Sequence, residues 1–282
     1  MDFRTTKLAV PSLLTVLSLA FTQNVSADCS AWLQVHLAKT GGTFFRRLGE
    51  ESADITSVRS ADEAAALLRT NSSAVVECEY HVGFGIEHFT EWEQFCNQCD
   101  CIWHINIRQP HDYYKSMLQD DFLHGVLTAQ AYKELTGTST ARDRSALKKS
   151  VHDQPDLVSE MLPGALVKII LRFAGEEYHN ITDWKLALRQ SFKFLRRFDI
   201  VGRTRDNFRT AGVIGRRLGI NLMGAFPQKH YHSESFRAAS SHNLALDKLH
   251  DKIITNALEK NSVDQDLYES TFFHCADEDD AP

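Results

Sequence analysis

The stretch VHLAKTGGTFFRRL, from Val35 to Leu48, sets the reading of the whole chain. An apolar run ends at Leu37, the segment Lys39-Thr40-Gly41-Gly42-Thr43 follows, and a helix-like run begins after it. A strand, a glycine-rich loop and a helix in that order make a loop suited to an anion. The glycines let the backbone approach closely, and the helix N-terminus offers free N–H groups and a favourable dipole. Lys39 adds a full positive charge, and Thr40 and Thr43 add hydroxyl donors. The lysine precedes the glycines, so the order is not that of G-x-x-x-x-G-K-[ST]. A lumenal nucleotide phosphotransferase of the P-loop type needs the lysine after them and fits the spacing less well.

Outward from this loop, strand-like runs alternate with amphipathic ones. Trp32–Leu37, Ser73–Glu79, Ile102–Ile107, Leu166–Arg172 and Phe198–Val201 read as strands or β-rich runs. Glu63–Arg69 (with Asp62 as N-cap), Ile86–Phe95, Pro110–Leu118, Asp183–Arg197, Asp206–Leu218 and Leu244–Glu259 read as helices. Alternation of this kind predicts an α/β fold with a central parallel sheet flanked by helices, in a P-loop-like three-layer arrangement. Ligands of such sheets bind at the carboxyl ends of the strands, where the loop lies.

Residues 1–27 form a targeting segment. Arg4 and Lys7 precede an apolar run, Leu8–Phe21, shorter than the roughly 20 residues a membrane span needs. The small residues of NVSA suit cleavage after Ala27, and an uncleaved signal anchor is the other reading. Either way residues 28–282 form one domain in the secretory lumen, in the Golgi or secreted. The six cysteines, Cys29, Cys78, Cys96, Cys99, Cys101 and Cys275, then suggest disulfides. Cys96, Cys99 and Cys101 with His104 form the rival zinc reading, which lacks a second matching pair. Asn71-Ser-Ser and Asn180-Ile-Thr are glycosylation sequons. A net charge of −6 argues against a general nucleic-acid binder. Thr136–Gln154, with Arg142, Arg144, Lys148 and Lys149, reads either as a solvated loop and helix start or as a basic rim beside the site, and Asp277–Asp280 is an acidic tail.

Five stretches, in chain order, carry a resemblance to the Golgi carbohydrate sulfotransferases. HLAKTGGTFF is similar to that family's H-x-x-K-T-G-G-T-T-F loop, with Phe44 at a usual threonine. EYHVGFGIEHF resembles the segment after the second family strand, with His81 in place and Tyr80 where glycine is frequent. INIRQPHDYYKSML resembles R-D-P-x-x-R-x-x-S: Arg108, Pro110 and Ser116 match, Gln109 replaces aspartate and Tyr113 the second arginine. FDIVGRTRDNF resembles F-D-F-V-G-x-T-E, with Arg205 at the glutamate. NSVDQDLYESTFF resembles the closing N-x-x-D-x-x-L-Y helix through Asn261, Asp264, Leu267 and Tyr268. The resemblance runs from Trp32 to Phe273.

It implies a sulfotransferase that moves the sulfuryl group of 3′-phosphoadenylyl sulfate (PAPS) to a hydroxyl of a glycan, an acidic polysaccharide among the acceptors the basic residues would suit. Lys39, Thr40, Gly41, Gly42 and Thr43 would hold the 5′-phosphosulfate, and Arg108 and Ser116 the 3′-phosphate. His81 would be the catalytic base, with Glu79 and Glu87 as weaker alternatives, and Lys39 would stabilise the leaving group. Arg203 and Lys229 are further candidates near the nucleotide. No metal is implied. The alternative is a secreted glycan-binding protein on a degenerate transferase scaffold.

Overall fold

The computed structural model describes residues 29–37, 39–58, 60–70, 75–81, 86–119, 127, 129–137, 144–222, 224 and 244–271. The targeting segment, Asn71, Arg142, Lys229, Cys275 and the acidic tail lie outside them, as do the side chains of Thr43, Glu79, His81, Glu87, Arg144 and Lys148.

Strands β1 (Ser30–His36), β2 (Ile55–Val58), β3 (Val75–His81), β4 (Asp100–Ile107) and β5 (Ile200–Arg203) form one sheet in the order β2-β3-β1-β4-β5. Every neighbouring pair is parallel. β1 sits at the centre and is buried on both faces, so its sequence reads as a nearly continuous apolar run.

The side chains of β1 alternate between two cores. Ala31, Leu33, Val35 and Leu37 join Ile105 and Ile107 of β4 and Val201 of β5 in the larger one. That core is covered by α2 (Ala61–Thr70), α3 (Ile86–Cys96), α4 (Pro110–Gln119), α8 (Ala165–Phe173), α9 (Trp184–Leu195), α11 (Leu244–Lys260) and α12 (Val263–Ser270). Trp32 faces the other way, with Ile102 and Ile200, under α1 (Gly42–Glu51) and α10 (Asn207–Leu218). Three further helices, α5 (Ala129–Thr136), α6 (Arg144–Asp153) and α7 (Pro155–Met161), add Tyr132, Leu135, Val151 and Val158 to the larger core, and a 3-10 turn, Thr204–Asp206, follows β5. The basic stretch is therefore helical over its second half, and α6 places Lys149 on the surface.

Two expectations are corrected, and one strand is new. Leu166–Arg172 is helical, not β-rich: it lies in α8, whose residues Ala165, Leu166, Val167, Ile169, Ile170, Leu171 and Phe173 are all buried. Only Lys168 and Arg172, four residues apart, mark its polar side, and an apolar run this short reads equally as a buried strand. The strand expected at Phe198–Val201 begins at Ile200, because Phe198 closes the turn after α9 through its N–H to the Leu195 carbonyl. β2 was not anticipated: it is a four-residue edge strand whose Thr56 and Ser57 are exposed, which leaves almost no apolar signal.

Cys29 pairs with Cys99, and Cys96 pairs with Cys101. The first disulfide ties the start of β1 to the turn before β4, and the second closes that turn. The zinc reading of Cys96, Cys99, Cys101 and His104 is thereby corrected: the three sulfurs are bonded to cysteines, and His104 is buried in the opposite core. Disulfides persist in oxidising compartments such as the secretory lumen. Among the described residues no helix is long and apolar enough to cross a membrane.

Candidate functional site

The order of the strands creates a cleft. From β1 the chain crosses to β2 on one side, and from β4 it crosses to β5 on the other. Connections that diverge from neighbouring strands leave a crevice at their carboxyl ends, and this is where open α/β sheets bind ligands. The crevice between β1 and β4 is flanked by Lys39–Gly42 from one strand and Arg108 from the other.

Local chemistry shapes the loop. Lys39 has φ of 68° and Gly41 φ of 89°, both left-handed. Glycine adopts that conformation freely, whereas for lysine it costs about 1–2 kcal/mol. Strain of this kind persists only where neighbours enforce it. Here the enforcement is visible, because the loop carbonyls are drawn away by donors behind them. Leu37 O accepts from Thr40 N (3.2 Å) and Thr40 Oγ1 (2.8 Å). Lys39 O accepts from Arg108 Nη1 at 3.2 Å, and Thr40 O from Thr204 Oγ1 at 2.9 Å. Gly41 O accepts from Phe44 N at 3.0 Å, which opens α1. A loop whose carbonyls are tied back has its repulsive dipoles engaged, which suits an anion at the helix N-terminus.

Packing makes both glycines necessary. A Cβ on Gly42 would lie 2.0 Å from Cδ2 of His36, whose ring fills the space under the start of α1. A Cβ on Gly41 would lie 2.9 Å from Nδ2 of Asn207 and 3.1 Å from Cγ2 of Thr204. Phe44 is buried and packs edge-to-face on Phe45 (4.8 Å) and Phe208 (5.2 Å), so this aromatic joins α1 to α10.

The structure brings Lys39, Thr40, Gly41, Gly42 and Arg108 together. Thr43 is in the first turn of α1. Ser116 lies in the second turn of α4, which starts two residues after Arg108, and it is buried. His81 is the last residue of β3 and pairs in register with His36 of β1, so its backbone stands at the same carboxyl edge as the loop. Arg203, at the end of β5, has its guanidinium 6.0 Å from the centre of the Tyr268 ring. Arg205 is exposed, beside Asp206. Among the described residues no group of three or more His, Cys, Asp or Glu is arranged to hold a metal ion.

Several residues of the cleft were not anticipated: Thr204, Asn207, Asn106, His104 and His36. The last three share one sheet face with Gln34, beneath α1 and α10. His104 Nε2 lies 3.0 Å from Asn106 Oδ1, and Asn106 Nδ2 donates to Asn207 Oδ1 at 2.9 Å. Burial lowers the His104 pKa to about 4, against a smaller upward pull from Asn106, so the ring is neutral near pH 7. The signal was present as polar residues at every second position within two otherwise apolar runs, Gln34 and His36 in Trp32–Leu37 and His104 and Asn106 in Ile102–Ile107.

The chain matches no protein-family model, no curated protein and no solved structure.

Proposed function

We propose that the protein is a P-loop-like sulfotransferase that moves the sulfuryl group of PAPS to a hydroxyl of a carbohydrate in the secretory pathway. The observation that carries this reading is the bond from Arg108 Nη1 to the Lys39 carbonyl, which joins the two anion-binding motifs across one crevice.

In this reading the first helical turn of α1 and Lys39 hold the 5′-phosphosulfate, with Thr40, Gly41, Gly42 and Thr43 forming the loop around it. Arg108 and Ser116 take the 3′-phosphate, which selects PAPS over nucleotides without it. His81, at the loop's edge of the sheet, takes the proton of the acceptor hydroxyl. The acceptor oxygen forms a bond to sulfur as the bond from sulfur to the bridging phosphate oxygen breaks. The electron pair goes to the departing 3′,5′-ADP, where Lys39 and the loop N–H groups neutralise it. The acceptor is a glycan, and Lys149 on the surface of α6 suits an acidic one.

Transfer of labelled sulfate from PAPS to a panel of desulfated glycans tests the proposal. Wild-type protein is expected to label at least one glycan, and Lys39→Ala to lower the rate about 100-fold or more with the fold unchanged by circular dichroism. Glycan binding without transfer in the wild type would favour the non-catalytic reading instead.

A further inference from the structure

The chain of hydrogen bonds beneath the loop has a direction. A carbonyl oxygen only accepts, so the proton between His104 and Asn106 belongs to His104 Nε2. Asn106 therefore presents its carbonyl to His104 and its amide N–H to Asn207 Oδ1. That bond turns the carbonyl of Asn207 inward and its Nδ2 outward, against Gly41. The inner members are fixed in place. His104 is fully buried with its ring 4.5 Å from Phe45, Asn106 is 1% exposed, and a Cβ on Gly202 would lie 2.2 Å from Asn106 Oδ1. Asn207 itself is half-buried in the first turn of α10.

We propose that Asn207 is a positioning residue of the anion site, held by Asn106 and His104 so that a donor rather than an acceptor faces the loop at Gly41. With Arg108 and Thr204, which bind the Lys39 and Thr40 carbonyls, it completes a wall of side-chain donors behind the loop. Each member follows the end of β4 or β5, so the sheet imposes the left-handed turn from outside. The ligand class is a phosphate-type anion, phosphate or sulfate, because an amide N–H at this point favours negative charge and an amide oxygen opposes it. The inference rests on the anion-loop part of the function proposed above and not on sulfuryl transfer.

Asn207→Asp is the discriminating variant. It keeps the shape and the bond from Asn106, but it places a carboxylate oxygen where Nδ2 stands. Affinities for inorganic pyrophosphate and for 3′,5′-ADP are measured by calorimetry, with the thermal midpoint of the unliganded protein recorded alongside. Both affinities should fall at least 10-fold while the midpoint shifts little. Asn207→Ala, which removes the wall without adding charge, should fall between wild type and Asn207→Asp. Arg216→Gln changes net charge equally from an exposed position later in α10 and should leave both affinities within two-fold. Unchanged affinity in a folded Asn207→Asp protein would overturn the proposal. So would an equal loss in Arg216→Gln, which would make the effect one of general charge, or a wild type that binds neither probe. Tight binding of both probes by a wild type that transfers no sulfate would sink the transferase reading and leave this one standing.

Discussion

Two buried polar centres stand on opposite faces of the sheet, and they are finished in different ways. On the larger core, Asp264 of α12 accepts from the Tyr114 hydroxyl at 2.6 Å, from Leu166 N at 3.0 Å and from Val167 N at 2.9 Å. Its carboxylate caps α8 from 97 residues away in sequence and ties that helix to α4 and α12. On the other core, His104, Asn106 and Asn207 form a row that runs outward and ends at Gly41. The first centre closes on the protein's own donors, as a structural joint does. The second stops at a strained loop, as a device for shaping a ligand site does. Burial alone therefore does not tell the two roles apart; where the last donor points does.

Removing the closed centre should do the larger damage to stability. Asp264→Ala orphans one hydroxyl and two backbone N–H groups, each costing about 1–3 kcal/mol. A loss of about 4 kcal/mol is expected by chemical denaturation. Under conditions where the variant remains folded, its affinity for pyrophosphate should match that of wild type. A folded variant with weakened binding would erase the distinction between the two centres.

Acid separates them next, because the two groups have opposite signs. Burial lowers the His104 pKa from 6.5 to about 4. Between those values the unfolded chain takes up a proton that the folded chain refuses, so stability falls as pH drops from 6.5 towards 4. The span corresponds to about 3 kcal/mol, and a His104→Gln variant should lack this part of the slope in denaturation measured across the window. Asp264 behaves in reverse: burial raises its pKa above 3.8, against the pull of its hydrogen bonds to Tyr114, Leu166 and Val167. Its contribution is greatest below 3.8 and declines as pH rises through the folded value, since charging a buried carboxyl is unfavourable. An identical acid slope in wild type and His104→Gln would show that the imidazole titrates freely and would remove His104 as an anchor of the row.

Much of the β1 side of the molecule was legible in the sequence. The strand, the glycine loop and the helix after it announce themselves by composition, and Arg108 before Pro110 marks the matching strand end. The parallel sheet followed from the alternation of runs. The α8 side was less legible for a physical reason. Its helix is nine residues long with only Lys168 and Arg172 to mark a polar side, and its cap comes from a distant residue, so the short apolar run reads equally as a strand and no local N-cap identifies it. The wall behind the loop was hidden in the same way. Thr204 and Asn207 lie more than 160 residues after the loop they shape, and only the β4–β5 pairing brings them to it. In the sequence, Gly41 and Gly42 permit close approach of a ligand. The structure adds a second reason for each: Asn207 and His36 already fill the space a side chain would need.

On the proposed function, the crevice between β1 and β4 holds a nucleotide with a phosphate at its 3′ position. Calorimetric titration of wild-type protein and Arg108→Ala with 3′,5′-ADP, and with ATP and Mg²⁺, tests it most directly. Wild type should bind 3′,5′-ADP without metal and at least 10-fold more tightly than ATP with Mg²⁺, and Arg108→Ala should lose most of that preference. Tighter binding of ATP with Mg²⁺, or a 3′,5′-ADP affinity untouched by Arg108→Ala in a folded protein, would contradict it.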